Sequence, residues 1–144
     1  MGVDAKGQEI VTVFRVTRPR EAAFSFLIDP RNHFLSNRRG SIVEQSRGSL
    51  QDGSYYVLAF DQLRARVTYE VVAPPERTVV SIALSGRLSG GMRSRRDFLL
   101  HIDGDGTNIE VRSQGSGGWI SWGPIVRAGE RAAMAHLKRR IESA

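Results

Sequence analysis

The sequence predicts an α+β fold in which a curved antiparallel sheet of about six or seven strands wraps around a long C-terminal helix, with short helices after the first strand. Three observations support this prediction. Apolar and polar residues alternate through successive segments from about Ser41 onward, short turns join these segments, and a helical pattern of about 20 residues closes the chain. The closing helix is the only large element that can cover the apolar face of such a sheet.

The first elements are one strand and then short helices. The β-branched segment EIVTVFRVT predicts a strand whose even-numbered residues, including Thr12 and Phe14, share one face. The segment RPREAAFSFLIDP predicts a helix, because Pro19 suits its first turn and Pro30 ends the pattern. A further short helix is expected at NHFLSNR.

The later segments have period two, so each should present one apolar face to the interior. The turn residues in DQ, APPE and GDG separate them. The predicted inward-facing residues are Tyr56, Leu58, Phe60, Leu63, Ala65, Val67, Tyr69, Val71, Val80, Ile82, Leu84, Met92, Ser94, Arg96, Phe98, Leu100, Ile102, Thr107, Ile109, Val111 and Ser113.

The last segment, GPIVRAGERAAMAHLKRRIESA, predicts a long helix with Pro124 in its first turn. Its apolar stripe consists mostly of small residues, so it can approach a sheet closely or leave space beneath it. The residues of that predicted stripe are Val126, Gly129, Ala133, Leu137 and Ile141.

This order of elements resembles the helix-grip fold of the START-like (SRPBCC) superfamily over nearly the whole chain. The resemblance rests on FRVTRPREAAFSFLIDP, VTYEVVAPPERTVVSIAL, DFLLHIDGDGTNIEV and the terminal helix. It implies one helix-grip domain over residues 1–144. That superfamily includes polyketide cyclases and dehydrases and lipid-transfer domains, so the resemblance also implies a cavity between sheet and helix for an apolar or amphipathic small molecule.

Both tryptophans, Trp119 and Trp122, lie where the last strand gives way to the long helix. In a helix-grip fold this junction borders the cavity. An indole there provides apolar area and one N–H donor. The two side chains either line a ligand site or fill the core beneath the start of the helix.

Arg96 is the most informative polar candidate, because its position places a cation among inward-facing apolar residues. It therefore needs a partner, such as a carboxylate or carbonyl of a ligand. Alternatively, it lies near a strand end and reaches water or an Asp or Glu, or a change of register turns it outward. Tyr56 and Tyr69 either orient a ligand or bond to the backbone of the core. The predicted ligand-binding residues are Phe14, Tyr56, Phe60, Tyr69, Arg96, Phe98, Trp119 and Trp122.

Composition excludes several other classes of site. The chain has 144 residues and no cysteine, so disulfides and thiolate chemistry are excluded, and the three histidines have no metal-ligand spacing. No metal or cofactor is expected. His33 could act as an acid or base near the cavity mouth, although an exposed histidine at a helix end is the simpler interpretation.

The net charge is +6, but the basic residues are spread along the chain, so we do not expect a nucleic-acid site. No apolar run reaches the roughly 20 residues of a membrane span, and a cytoplasmic protein is expected. The oligomeric state is not readable from the sequence.

The sequence therefore supports three functional hypotheses. The first is binding of a small apolar or amphipathic ligand, lipid or polyketide-like, between sheet and helix. The second is a polyketide cyclase or dehydrase enzyme that uses the same cavity. The third is an interaction module that uses its basic surface without a small ligand.

Overall fold

The computed structural model of the chain describes residues 9–34, 40–60, 62–86, 91–116 and 124–144. The β-strands are β1 (Ile10–Val16), β2 (Ser41–Gln45), β3 (Ser54–Phe60), β4 (Leu63–Ala73), β5 (Arg77–Gly86), β6 (Arg93–Asp103) and β7 (Gly106–Ser116). The helices are α1 (Arg20–Leu27), a 3₁₀ helix (Pro30–His33) and α2 (Pro124–Ser143).

All seven strands form one antiparallel sheet in the order β1-β7-β6-β5-β4-β3-β2. Strands β2 to β7 follow one another as a meander, and β1 pairs with β7, the last strand of the chain. The helix α2 comes after β7 in the chain and contacts β1. The predicted α+β fold class, with a long C-terminal helix and short helices after the first strand, is confirmed.

The core lies between the inner face of the sheet and the helices. Alternate strand residues supply most of it, as the period-two pattern predicts. The buried apolar residues of this cluster are Val16, Ala23, Phe24, Leu27, Leu58, Ala65, Val67, Tyr69, Val80, Ile82, Phe98, Leu100, Ile109, Val111, Ala133, Met134, Leu137 and Ile141. Full burial of each large apolar side chain contributes roughly 1.5–3 kcal/mol.

One strand departs from the predicted alternation. The register between β4 and β5 shifts after Tyr69, which pairs with Val80, so that Val72 pairs with Thr78. Val72 therefore packs against the core in place of Val71, and the prediction for Val71 was wrong. A bulge adds one residue to a strand and so exchanges the faces that follow it.

Three smaller predictions also need correction. Met92 is 39% exposed because β6 begins only at Arg93, and Ile102 is 66% exposed next to the turn that ends this strand. The first helix starts at Arg20, so Pro19 is its N-cap and lies before the first turn. A 3₁₀ helix is present at Pro30–His33, and the rest of the expected helix NHFLSNR, residues 35–38, lies outside the described residues.

The two ends of the sheet differ in what covers them. Helix α1 packs against β5, β6 and β7, and the hydroxyl of Thr107 donates to the carbonyl oxygen of Arg18 at 2.7 Å, which fixes the chain leading into α1 at one end. At the other end β6 begins at Arg93, opposite the last residue of β7, Ser116. Helix α2 begins at this second end, so its first turns lie beside Arg96, one of the candidate residues predicted from the sequence.

Candidate functional site

A polar cluster lies between the inner face of the sheet and the first turns of α2. Arg96 of β6 donates to the carboxylate of Glu130 through Nε at 3.0 Å and through Nη2 at 2.7 Å. The hydroxyl of Ser113, on the adjacent strand β7, donates to the same carboxylate. The side chains of Arg96 and Glu130 are only 20% and 11% exposed, so this two-point ion pair is largely withdrawn from water.

The cluster keeps Glu130 ionised. Burial alone would raise the pKa of the Glu130 carboxyl, but the hydrogen bonds and charge of Arg96, together with the Ser113 hydroxyl, outweigh burial and lower that pKa below its ordinary value. The charges of Arg96 and Glu130 therefore cancel each other. Of the alternatives that the sequence left open for Arg96, the structure supplies a protein carboxylate.

A second polar group lies close to this cluster in the sheet. Thr12 of β1 pairs with Val111, two residues from Ser113 on the neighbouring strand. Its Oγ1 is buried and has no hydrogen-bond partner among the described residues. A buried hydroxyl without a partner costs roughly 1–3 kcal/mol, which makes it a candidate to bond a bound molecule.

Aromatic side chains on the same inner face are only partly buried. Phe14, Tyr56 and Phe60 all pack against the core cluster, but each retains some exposed surface. Phe34 meets the ring of Phe60 with centroids 5.1 Å apart. A Cβ atom at Gly40 would lie 2.6 Å from that same ring, so a larger residue there would require the ring to move.

Other inner-face candidates are fully packed. Tyr69 and Phe98 have no exposed surface. The Tyr69 hydroxyl donates to the carbonyl oxygen of Leu27 at 3.1 Å, and its ring meets that of Tyr56 edge-on at 6.1 Å. Burial raises the pKa of Tyr69, so it stays a neutral donor. Tyr69 therefore has the backbone-bonding role that the sequence left as one alternative.

His33 is buried, and the expectation of an exposed histidine was wrong. Its Nε2 lies 2.6 Å from the same Leu27 oxygen, and its ring contacts those of Tyr69 and Phe98. Burial lowers the pKa of His33 to about 4. Since a carbonyl oxygen only accepts hydrogen bonds, the neutral imidazole bears its proton on Nε2. The 3₁₀ helix turns the ring beneath α1, which composition alone did not reveal.

The predicted site residues thus divide into groups. Phe14, Tyr56, Phe60 and Arg96 lie on the inner face with partial exposure, whereas Tyr69 and Phe98 are packed in the core. Trp119 and Trp122 lie outside the described residues. Their assignment as ligand-binding residues stays a prediction.

Glu130 is the functional candidate that the sequence prediction missed. It lies three, four, seven and eleven residues before Ala133, Met134, Leu137 and Ile141, which are the buried apolar residues among those of α2 whose side chains the structure describes. That spacing places Glu130 on the same face of the helix. The helical periodicity contains the signal for this position, since residues three, four and seven apart share one face of a helix.

No group of three or more potential metal ligands occurs within the described ranges of the chain. Over the same ranges, no helix has the length and apolarity that a membrane crossing requires.

The sheet, the closing helix and the interior between them define a helix-grip fold, as the resemblance implied. Comparison with solved structures agrees. CalU16 from Micromonospora echinospora has 21% identity and a TM-score of 0.57, covering 92% of this chain and 75% of its own. Ara h 8.0201 has 12% identity and a TM-score of 0.68, covering 94% and 98%.

DynU16, a protein of the dynemicin biosynthetic locus, has 18% identity and a TM-score of 0.64. The match covers 94% of this chain and 47% of DynU16. No protein-family model matches the sequence, and no curated protein does. At these identities, the structural likeness establishes the fold.

Proposed function

We propose that this protein binds a small apolar or amphipathic molecule between the inner face of its sheet and the first turns of α2. The observation that supports this most directly is the partial exposure of Phe14, Tyr56 and Phe60, which point toward the core. Inward aromatic side chains of a closed core are expected to be fully buried, as Tyr69 and Phe98 are. Partly exposed ones provide an apolar wall for a ligand.

The polar cluster gives this site an orientation. The ion pair joins Arg96 of β6 to Glu130 of α2. The Thr12 hydroxyl, which has no partner among the described residues, lies on β1. The aromatic wall at Tyr56 and Phe60 belongs to β3, toward the other edge of the sheet. A ligand with one polar end and an apolar body fits this division.

A second candidate function is catalysis on a polyketide-like substrate in the same place. Glu130 favours it, because a largely buried carboxylate that Arg96 keeps ionised can accept a hydrogen bond from a bound substrate and so fix its orientation for reaction. DynU16, which has the same fold, comes from a biosynthetic locus for a natural product. Loss of turnover with retained binding in Glu130→Gln would separate this candidate from simple binding.

The binding proposal is tested with Nile red, a neutral apolar dye whose emission rises in apolar sites. Tyr56→Ala and Tyr55→Ala form a matched pair, since the two tyrosines are adjacent in β3 and face opposite sides of the sheet. Tyr55 lies on the outer face, beneath the guanidinium of Arg66. We expect Tyr56→Ala to weaken dye binding severalfold, because it removes part of the apolar wall, and Tyr55→Ala to leave dye binding unchanged. Absence of dye binding by the folded wild-type protein would refute the proposal.

A further inference from the structure

The outer face of the sheet, on the side away from α2, contains a groove of about 460 Å³ that crosses β4, β5, β6 and β7. This volume is within the range of roughly 300–1,000 Å³ that is usual for small-molecule pockets. Most of its lining residues, including Arg66, Ser81, Ala83, Arg93 and Arg95, alternate with inner-face residues along their strands. It is therefore a separate site from the one proposed above.

The pairing of the strands explains the shape of this groove. Ala83 of β5 pairs with Arg66 of β4 on one side and with Arg93 of β6 on the other. Ser81, two residues away on the same face of β5, pairs with Arg95. Small side chains on the central strand form the floor, and long basic side chains on the flanking strands form the walls.

Two of the arginines keep their hydrogen-bonding edges available. The guanidinium carbon of Arg66 lies over the ring of Tyr55, 3.9 Å from its centroid. An arginine stacked on an aromatic ring can still donate its N–H groups to an anion. Arg93 is exposed. Among the described residues, neither arginine has a carboxylate within ion-pair distance.

The third arginine is fixed in place by a carboxylate. Glu70 accepts from Nε of Arg95 at 3.1 Å and also from the hydroxyl of Ser81. Of the three guanidinium groups that line the groove, only that of Arg95 is paired with a carboxylate, so those of Arg66 and Arg93 lack an ion-pair partner among the described residues. Further carboxylates lie at the margins, where Glu9 and Glu110 share Arg112 and Glu44 accepts from the hydroxyl of Tyr55.

We propose that this groove binds the phosphate group of a small phosphorylated molecule. The two positive charges of Arg66 and Arg93 match the charge of a phosphate monoester near neutral pH, which is about −1.5 to −2. Guanidinium groups from two different strands can surround one tetrahedral anion, and the planar N–H arrays of arginine suit its oxygens. A carboxylate, with one negative charge, matches the groove less well.

The test is a titration of the full chain with inorganic phosphate, followed by amide resonances in NMR spectra, and a parallel titration with acetate at equal ionic strength. We expect phosphate to shift the resonances of β4, β5 and β6 around Ser81 and Ala83, and to bind more tightly than acetate. Arg66→Gln and Arg93→Gln should each weaken phosphate binding about tenfold, as expected for loss of one charged hydrogen-bonding partner.

Arg127→Gln is the matched control, because it removes the same charge from an exposed position on α2. It should leave phosphate affinity unchanged, and all three variants should keep the dispersed spectrum of the wild type. Equal weakening in all three would show only general attraction to a basic protein and would overturn the proposal. So would phosphate shifts that avoid β5, or acetate binding as tight as that of phosphate.

Discussion

Tyr69 and His33 donate to one and the same acceptor, the carbonyl oxygen of Leu27 at the end of α1, over 3.1 Å and 2.6 Å. One donor comes from the middle of the sheet and the other from the 3₁₀ helix. Together they satisfy a carbonyl group that the end of the helix would otherwise leave without a partner. This shared acceptor joins α1 to the sheet at the end of the sheet that α1 covers.

The first prediction concerns the tyrosine. Tyr69→Phe removes one buried hydrogen bond while His33 still satisfies the Leu27 oxygen, so the free energy of unfolding should fall by about 1 kcal/mol. Tyr55→Phe is the control, since its hydroxyl bonds to Glu44 at an exposed site, and it should change stability little. Urea unfolding of both variants measures the difference. Equal effects would contradict the role assigned to Tyr69.

The second prediction concerns pH. The folded protein holds the pKa of His33 at about 4, against about 6.5 in the unfolded chain, so the unfolded chain binds the extra proton between these values. The stability contribution of neutral His33 is therefore complete above pH 6.5 and is lost as pH falls toward 4. The loss amounts to about 3 kcal/mol.

His33→Gln keeps a donor and removes the titration, so its stability should fall less than that of the wild type over this pH range. Asp29, Arg96 and Arg140 also act electrostatically on His33, and all three remain in the variant. His101→Gln, at an exposed position, serves as the control and should follow the wild-type profile. Parallel profiles for wild type and His33→Gln would rule out this account.

The third prediction concerns the buried ion pair. Arg96→Met leaves the Glu130 carboxylate without its cation, and Glu130→Leu leaves the Arg96 guanidinium without its anion. Each single change should cost about 3 kcal/mol, whereas the double variant should recover most of that loss. Denaturant unfolding of the four proteins forms a double-mutant cycle. Additive losses would show that the two side chains do not depend on each other.

The fourth prediction rests on the proposed ligand site. Because Glu130 already neutralises Arg96, the site should prefer a neutral head group, and lauryl alcohol should bind more tightly than laurate. Glu130→Gln frees the charge of Arg96 and should reverse this order. Competition against Nile red measures both affinities. An unchanged order in the variant would place the ligand head group away from Arg96.

The fifth prediction compares two glycines. Gly129, predicted in the apolar stripe of α2, is exposed instead, with open space where a Cβ would be. Gly129→Ala should therefore stabilise the protein by about 0.5–1 kcal/mol. A Cβ at Gly106 would lie 2.5 Å from the backbone oxygen of Val16, so Gly106→Ala should destabilise it. Thermal unfolding tests both variants. A rise in melting temperature for Gly106→Ala would contradict the close approach of Gly106 to the backbone of Val16.

The sequence predicted the strands well, because a sheet with one face on the core must alternate. It predicted the inward position of Thr107, Ile109, Val111 and Ser113, and all four are buried. It could not reveal the bulge after Tyr69, since a bulge changes backbone register without changing composition. Val71 and Val72 are equally apolar, so nothing local distinguished them.

The candidate site was harder to predict because it depends on contacts between distant segments. Arg96 and Glu130 are 34 residues apart, and His33 meets Tyr69 across a similar separation. Periodicity assigns a residue to a face but not to a partner. The helical pattern could have predicted the inward position of Glu130. The burial of His33 could not be predicted in this way, because it depends on how the 3₁₀ helix turns beneath α1.

Arg95 and Arg96 are neighbours in β6, yet one contributes to the outer groove and the other to the interior ion pair. The loss or gain of one residue within this strand would exchange their faces and disturb both places together. Substitutions in β6 should therefore be tolerated far more often than insertions or deletions. Natural length variation in this protein's relatives should be confined to the loops on either side of that strand.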